Sequence, residues 1–251
     1  MNRFFVSPEQ IGEKTITITG EDVNHIRNVL RMREGEEVKI CSGLDDREYF
    51  CRIRAMARSE VTLEILSSGS ACTELPSRIL LFQGLPKGDK MEWIIQKSVE
   101  LGCAGIVPVA MHRSIVKIRE GKEQSRLLRW NAIAKSAAEQ SGRSRIPDVR
   151  MIAGFQEAVR MAQDLDVILF PYEKAEDMEH TRKTLSALVP GQSIGIFIGP
   201  EGGFEETETE ALEGAGAKTI TLGGRILRTE TAGLAVLSML GFVLEGRKIP
   251  V

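Results

Sequence analysis

Hydrophobic and polar positions follow two different periods along the chain. Near the N-terminus, residues 15–18, 37–40 and 61–65 alternate, and 49–54 is a further run rich in β-formers. A period of two predicts half-buried strands. One helix interrupts them, opened by Gly20-Glu21-Asp22 and given an apolar face by Val23, Ile26, Val29 and Leu30, the spacing of a helix laid on a core. Gly35 and Gly43 punctuate turns. A small β-barrel carrying one helix accounts for this pattern. Residues 67–77, rich in serine and other small residues, read as a linker. Beyond them strands and helices alternate. Apolar strands are expected at 78–82, 106–109, 166–170, 194–198 and 219–222, and helical spacing runs through 90–101, 125–140 and 230–244. Short apolar strands separated by helices predict an α/β fold with a mainly parallel sheet. The division expected is a first domain, 1–72, and a second, 73–251. The last helix carries Leu234, Val236, Leu237, Leu240, Phe242 and Val243 around most of its surface. Such a helix must be covered by the sheet or by a partner subunit, and a homodimer with this helix at or near its interface is expected.

Composition limits the class. Of 251 residues, 42% are hydrophobic and 27% charged, as in an ordinary soluble globular protein. The longest apolar run, 232–244, is broken by Gly233, Ser238 and Gly241, too short for the roughly 20 residues of a membrane span. Residues 1–8 lack the apolar core of a signal peptide. Cys41, Cys51, Cys72 and Cys103 form no C-x-x-C pair, so neither a metal site nor a disulfide scaffold is expected, and a reducing cytoplasm fits. Net charge is −2, but unevenly spread: −3 over 1–76, +6 over 86–147 and −6 over 148–251. If Lys87, Arg113, Lys117, Arg119, Arg143 and Arg145 face one side, the central block is a phosphate-binding surface; the plain alternative is a solvated helical face.

Three stretches follow apolar strands at the positions where open α/β sheets bind ligands. They are Phe170-Pro171-Tyr172-Glu173, Gly199-Pro200-Glu201-Gly202-Gly203 and Leu222-Gly223-Gly224-Arg225-Ile226-Leu227-Arg228. Glycines there let backbone groups approach a ligand closely. Familiar nucleotide signatures are missing. There is no G-x-G-x-x-G, and Gly84-Leu85-Pro86-Lys87-Gly88-Asp89-Lys90 runs into Met91 without the spacing of a phosphate loop. The nucleophile elbow G-x-S-x-G is missing too.

The segment Ile198-Gly199-Pro200-Glu201-Gly202-Gly203-Phe204, followed by 222–232 from Leu222 through Thr231 and Ala232, resembles the paired signature of the RsmE family, the 16S ribosomal RNA uridine N3-methyltransferases of the SPOUT superfamily. Residues 84–102, 137–147 and 25–31 resemble it as well, in the family's order, so the resemblance spans essentially the whole chain. It implies a C-terminal SPOUT-type α/β domain with a trefoil knot, an exception to the rule against knotted chains, and an N-terminal PUA-like β-barrel. It also implies a homodimer acting on 16S ribosomal RNA, within a small-subunit particle, with S-adenosyl-L-methionine as cofactor.

The resemblance places the cofactor against Phe170, Pro171, Gly199, Pro200, Glu201, Gly202, Gly203, Leu222, Gly223, Ile226, Leu227, Arg228, Thr231 and Ala232. Methylation at N3 of a uracil requires loss of a proton, so a base or a cationic donor is needed. Arg113, Arg143, Glu201 and Arg228 are the candidates. Each arginine can hold a phosphate or a uracil oxygen with its planar fork, or simply form a salt bridge, and Glu201 can be a base or a helix cap. His25, Arg27, Arg31, Lys87, Arg113, Arg143 and Arg145 are the expected RNA contacts. Two rival readings remain at this point: a knotted ribosome-binding protein without catalysis, and a SPOUT enzyme acting on transfer RNA or another base.

Overall fold

A computed structural model describes residues 1–71, 73–115, 121–172, 175 and 177–246. Cys72, Lys117, Arg119 and Glu173 lie outside them. The chain divides into two units, 1–74 with 138–146, and 75–137 with 147–251.

The first unit holds a five-stranded sheet. Its strands are β1 (Asn2–Phe5), β2 (Thr15–Thr19), β3 (Glu37–Cys41), β4 (Arg47–Met56) and β5 (Glu60–Ser70), in the order β1-β3-β4-β5-β2. β1 runs parallel to β3 and the other neighbours are antiparallel. The alternation works as expected. Ile16, Ile18, Val38, Ile40, Val61 and Leu63 point inward with Phe4 and Ile26 to make one core. Three expectations need correcting. β1 carried no alternation signal. Residues 67–70, read as linker, continue β5, because Arg47–Phe50 of β4 pair with them. The predicted helix is one turn, α1 (Glu21–Asn24), passing into a π-helical turn at His25–Val29. The wider turn rotates the apolar stripe, so Val23 and Ile26 are buried while Val29 is 64% and Leu30 37% exposed.

The second unit is a parallel sheet with helices on both faces. The strands β6 (Arg78–Gly84), β7 (Gly105–Ala110), β8 (Asp148–Val149), β9 (Ala153–Gly154), β10 (Val167–Pro171), β11 (Ser193–Ile198) and β12 (Lys218–Ile220) lie in the order β12-β10-β11-β6-β7-β8, with β9 beside β7. Every pairing is parallel. The helices are α2 (Lys90–Glu100), α3 (Glu123–Ser141, whose last turns belong to the first unit), α4 (Phe155–Ala162), α5 (Met178–Ser186), α6 (Glu206–Gly214) and α7 (Thr229–Leu244). Phe82 and Phe197, paired across β6 and β11, stack with ring centres 4.4 Å apart. α7 buries Gly233, Val236, Leu237, Leu240 and Leu244, a helical stripe, and packs on β6, β11 and α2. It leaves Phe242 90% exposed. Among the described residues no helix is long and apolar enough to cross a membrane.

Candidate active site

β12, β10 and β11 are adjacent and parallel, so the loops leaving their carboxyl ends emerge along one edge of the sheet. Those loops, with the first turn of α7, enclose a cavity of about 640 Å³, a size that suits a nucleoside-sized ligand. Its wall is apolar at Pro171, Tyr172, Ile198, Phe204, Leu222 and Leu227, with glycines and a few polar or charged residues elsewhere. Gly203 and Gly223 hold φ of +69° and +94°, a region that side chains resist. A Cβ added to Gly203 or Gly224 would meet nothing within 4 Å; both residues line the cavity, and their bare backbone faces open space.

Side-chain tethers fix the 199–203 loop from three sides. Thr229 Oγ1 donates to the Gly199 carbonyl at 2.6 Å and accepts from Gln83 Nε2 at 2.9 Å. Glu201 Oε1 accepts from the Lys87 backbone amide at 3.1 Å and from Lys90 Nζ at 3.0 Å. The same ammonium lies 3.2 Å from Glu230, so one lysine of α2 joins the loop to α7. Burial pushes the Glu201 carboxyl up, but Lys90 and the amide outweigh it and hold it below the usual glutamate range. Arg113 donates from Nε to Glu205 at 2.7 Å and from Nη1 to the Gly202 carbonyl at 3.0 Å.

The structure places the expected cofactor residues as follows. Pro171, Gly199, Pro200, Glu201, Gly203, Leu222, Gly223, Ile226, Leu227, Arg228 and Ala232 line the cavity. Phe170, Gly202 and Thr231 do not. Phe170 is wholly buried in the sheet core, edge-on to Phe204 at 5.9 Å, and Thr231 is exposed on α7. Gly202 faces away from the ligand space: its Cβ would stand 2.9 Å from Arg113 Cβ. Its smallness serves the arginine's approach.

The expected RNA contacts divide between the units. His25, Arg27, Arg31, Arg143 and Arg145 belong to the first, Lys87 and Arg113 to the second. Arg31 is exposed and holds φ +53°, the one positive φ among the described non-glycine residues. Arg27 donates to the Ala57 carbonyl, and His25 stands edge-on to Phe4. Arg143 is placed otherwise than expected. It is 3% exposed and ion-paired with Glu74, whose carboxylate also accepts from the amides of Ser144 and Arg145. That arrangement pins the turn that follows Gly142 (φ +72°) at the end of α3, and gives Arg143 a packing role. The central basic block is likewise largely committed. Among the described residues Lys97 pairs with Glu100, Arg129 with Glu92 and Arg145 with Asp46, so much of the positive charge described there is already paired. Residues that sequence reasoning passed over also line the cavity, among them Lys90, Met178, Thr221, Arg225 and Thr229. Thr229 and Arg225 lie inside the 222–232 motif and were within reach; Met178 opens α5, a helix without a pattern strong enough to be seen.

Comparison with known proteins agrees with this geometry. A family model described as an RNA methyltransferase domain matches residues 73–241, and one described as an RNA methyltransferase PUA domain matches 18–66. The chain is 40% identical over 251 residues to the ribosomal RNA small subunit methyltransferase E of Bacillus subtilis, covering 98% of each. It is 30% identical to the protein of the same name from Synechocystis, covering 97% of this chain and 78% of the relative. A crystal structure of the Neisseria gonorrhoeae ribosomal RNA small subunit methyltransferase E bound to S-adenosyl methionine is 34% identical, with a TM-score of 0.82 over 97% of this chain and 98% of that one.

Proposed function

Because the chain belongs to the ribosomal RNA small subunit methyltransferase E family, we propose that it transfers a methyl group from S-adenosyl-L-methionine to N3 of a uridine in 16S ribosomal RNA. Of the expected fold class, a parallel α/β domain matched by the RNA methyltransferase model and a small β domain matched by the PUA model are in place; a SPOUT-type trefoil knot in the former is part of this proposal. The observation that carries the functional reading is the cavity at the ends of β10, β11 and β12, built from bare glycine backbone and apolar side chains.

The residues present fit the cofactor. Open backbone at Gly203 and Gly224 suits hydrogen bonding to a flat heterocycle, and Leu222, Leu227, Pro171 and Tyr172 supply apolar walls for it. When bound, the cofactor supplies a methyl carbon made electrophilic by a positive sulfur. The chain's own part is to fix the loops, exclude water and deal with the proton on N3. Glu201 is a poor candidate for that proton: two donors already hold its Oε1, and they favour the charged form. Its role in this reading is to tie the 199–203 loop to α2.

The active form proposed is a homodimer in the cytoplasm, working on a small-subunit particle. Phe242 on α7 and Trp93 on α2, both large and exposed, support a partner on that side, since helices this apolar are normally covered. Phe242→Glu should then halve the mass measured by light scattering, and a wild-type monomer at micromolar concentration would refute the dimer. The function itself is tested by mass mapping of 16S ribosomal RNA from cells with and without the gene. The expected result is one uridine that loses a methyl group on N3. An unchanged map, or a lost methyl on another base or on transfer RNA, would overturn the assignment.

A further inference from the structure

The cavity contains four charged side chains among the described residues that line it: Lys90, Glu201, Arg225 and Arg228. Lys90 and Glu201 neutralise each other, and Lys90 is shared with Glu230. The remaining two are exposed arginines for which the described residues supply no hydrogen bond or ion pair. An arginine in a ligand-lined loop without a protein anion is a donor fork held ready for an anion from outside.

The two differ in position. Arg228 is the N-cap of α7, where the positive end of the helix dipole already favours anions and disfavours a second cation in its own turn. Arg225 stands on the free loop, three residues earlier. Its Nη2 lies 3.8 Å from where a Cβ of Gly223 would be, so its guanidinium folds back over the bare backbone that lines the cavity. Gly223, with φ +94°, leaves that space open.

Resting on the methyl-transfer reading of this cavity, we propose that Arg225 is a catalytic residue that binds the deprotonated uracil ring of the substrate. Its fork pairs with the charge shared between N3 and the adjacent carbonyl oxygens. The N3 proton goes to hydroxide, giving water, so no protein carboxylate takes it up. The N3 lone pair then forms the N–CH3 bond as the methyl–sulfur bond breaks, its electron pair staying on sulfur. The arginine lowers the energy of the anion and so raises its fraction near neutral pH, the same service that fixed donors give a developing oxyanion. A positive charge so used contributes to the transition state and not to cofactor affinity.

Single-turnover methylation of small-subunit particles, measured from pH 6 to 10 alongside calorimetric titration with S-adenosylmethionine, tests this. For wild type the rate should rise with pH towards a plateau. Arg225→Gln should lower the neutral-pH rate by about 10²-fold, the scale of losing one such donor, displace the plateau to higher pH, and leave the cofactor Kd within twofold. Arg225→Lys, which keeps the charge, should recover part of the rate. Three results would each overturn the proposal: an Arg225→Gln rate equal to wild type, a cofactor Kd weakened tenfold, or a loss confined to Arg228→Gln. Failure of wild type itself to bind the cofactor would instead strike down the underlying reading of the cavity, and this proposal with it.

Discussion

Thr229→Val isolates the polar half of a tether without disturbing packing, since the two side chains have nearly the same shape and Thr229 is buried. What disappears is one hydroxyl that donates to Gly199 and accepts from Gln83. A buried hydrogen bond contributes about 1 kcal/mol net, and a polar group stranded by its loss costs about 1–3 kcal/mol. Gln83 Nε2 keeps its second bond, to the Gly84 carbonyl at 3.0 Å, and Gly199 is only half-buried, so water relieves part of the loss. About 2 kcal/mol is therefore expected, at the low end of two stranded groups. Both tryptophans, Trp93 and Trp130, lie in the second unit, so urea unfolding followed by their fluorescence reports on the unit that holds the site. The Gly199 carbonyl is also part of the loop that lines the cavity, so on the proposed reading its release should weaken S-adenosylmethionine binding about tenfold, equivalent to about 1.4 kcal/mol. Thr229→Ser keeps the hydroxyl and should restore affinity. A valine variant with wild-type affinity and a stability change under about 0.5 kcal/mol would refute the claim that this hydroxyl holds the loop.

The neighbouring glycines should separate by phenotype. Gly202→Ala drives a Cβ to within 2.9 Å of Arg113 and should cost stability, about 1–3 kcal/mol as overpacking does, with cofactor affinity weakened less; Gly203→Ala, facing open cavity at φ +69°, should weaken affinity more than stability, and the reverse ordering in paired calorimetry and urea titrations would show the loop is turned the other way. Arg143→Ala leaves the Glu74 carboxylate largely buried without its ion partner and should cost about 3–5 kcal/mol, seen as a lower melting temperature; a fully stable variant with selectively weaker RNA binding would return Arg143 to the RNA surface. Glu201, held below the usual glutamate pKa of 4.5, stabilises the fold fully above that pH and loses its contribution as pH falls through the lower folded value; Glu201→Gln should flatten the acid limb of melting temperature against pH, and identical limbs would show the tether contributes nothing.

The central strands of the second unit, β6, β7, β10 and β11, were legible because each is a short apolar run buried over most of its length, whereas β8 and β9, two residues each with one exposed, left no pattern to see. Helices were legible in proportion to the apolar stripe they lay on the core. α2 and α7 bury long apolar stripes and were visible. α5 and α6 bury only Thr181, Thr184 and Leu185, or Glu208, Thr209 and Leu212, and three positions, mostly polar, do not make a period. In the first unit the helical stripe of 23–30 was read at 3.6 residues per turn, and the π-helical turn, stretched beyond that spacing, turned Val29 and Leu30 outward. No propensity argument marks a single wide turn. The strand β1 was missed for the opposite reason. Three successive buried residues, Arg3, Phe4 and Phe5, break alternation, because Arg3 turns inward to pair with Glu48 and to donate to the Arg143 carbonyl.

The site shows the limit of reading residue types along a line. Gly199, Gly203, Leu222, Gly223 and Leu227 were legible as candidates from the stretches that follow apolar strands and from the family resemblance, and all five line the cavity. What a line of letters does not carry is direction. Gly202 sits between two residues that face the cavity, yet its missing Cβ serves Arg113 behind the loop. Arg113 was marked as a candidate for the substrate because it is cationic, and Arg143 for the same reason, but a cation is informative only once its counter-charge is known. Glu205 and Glu74 supply those counter-charges, from 92 and 69 residues away in sequence. Arg225 was passed over inside the same motif that marked Arg228, since nothing local distinguishes one arginine from another. The distinction lies in what they are not near: Lys90, Arg113, Arg129, Arg143 and Arg145 each have a carboxylate partner, and among the described residues no acidic side chain pairs with the arginines of the loop at 223–228. A cation left over after such pairing, on the wall of a cavity, is where an anionic substrate has to be met.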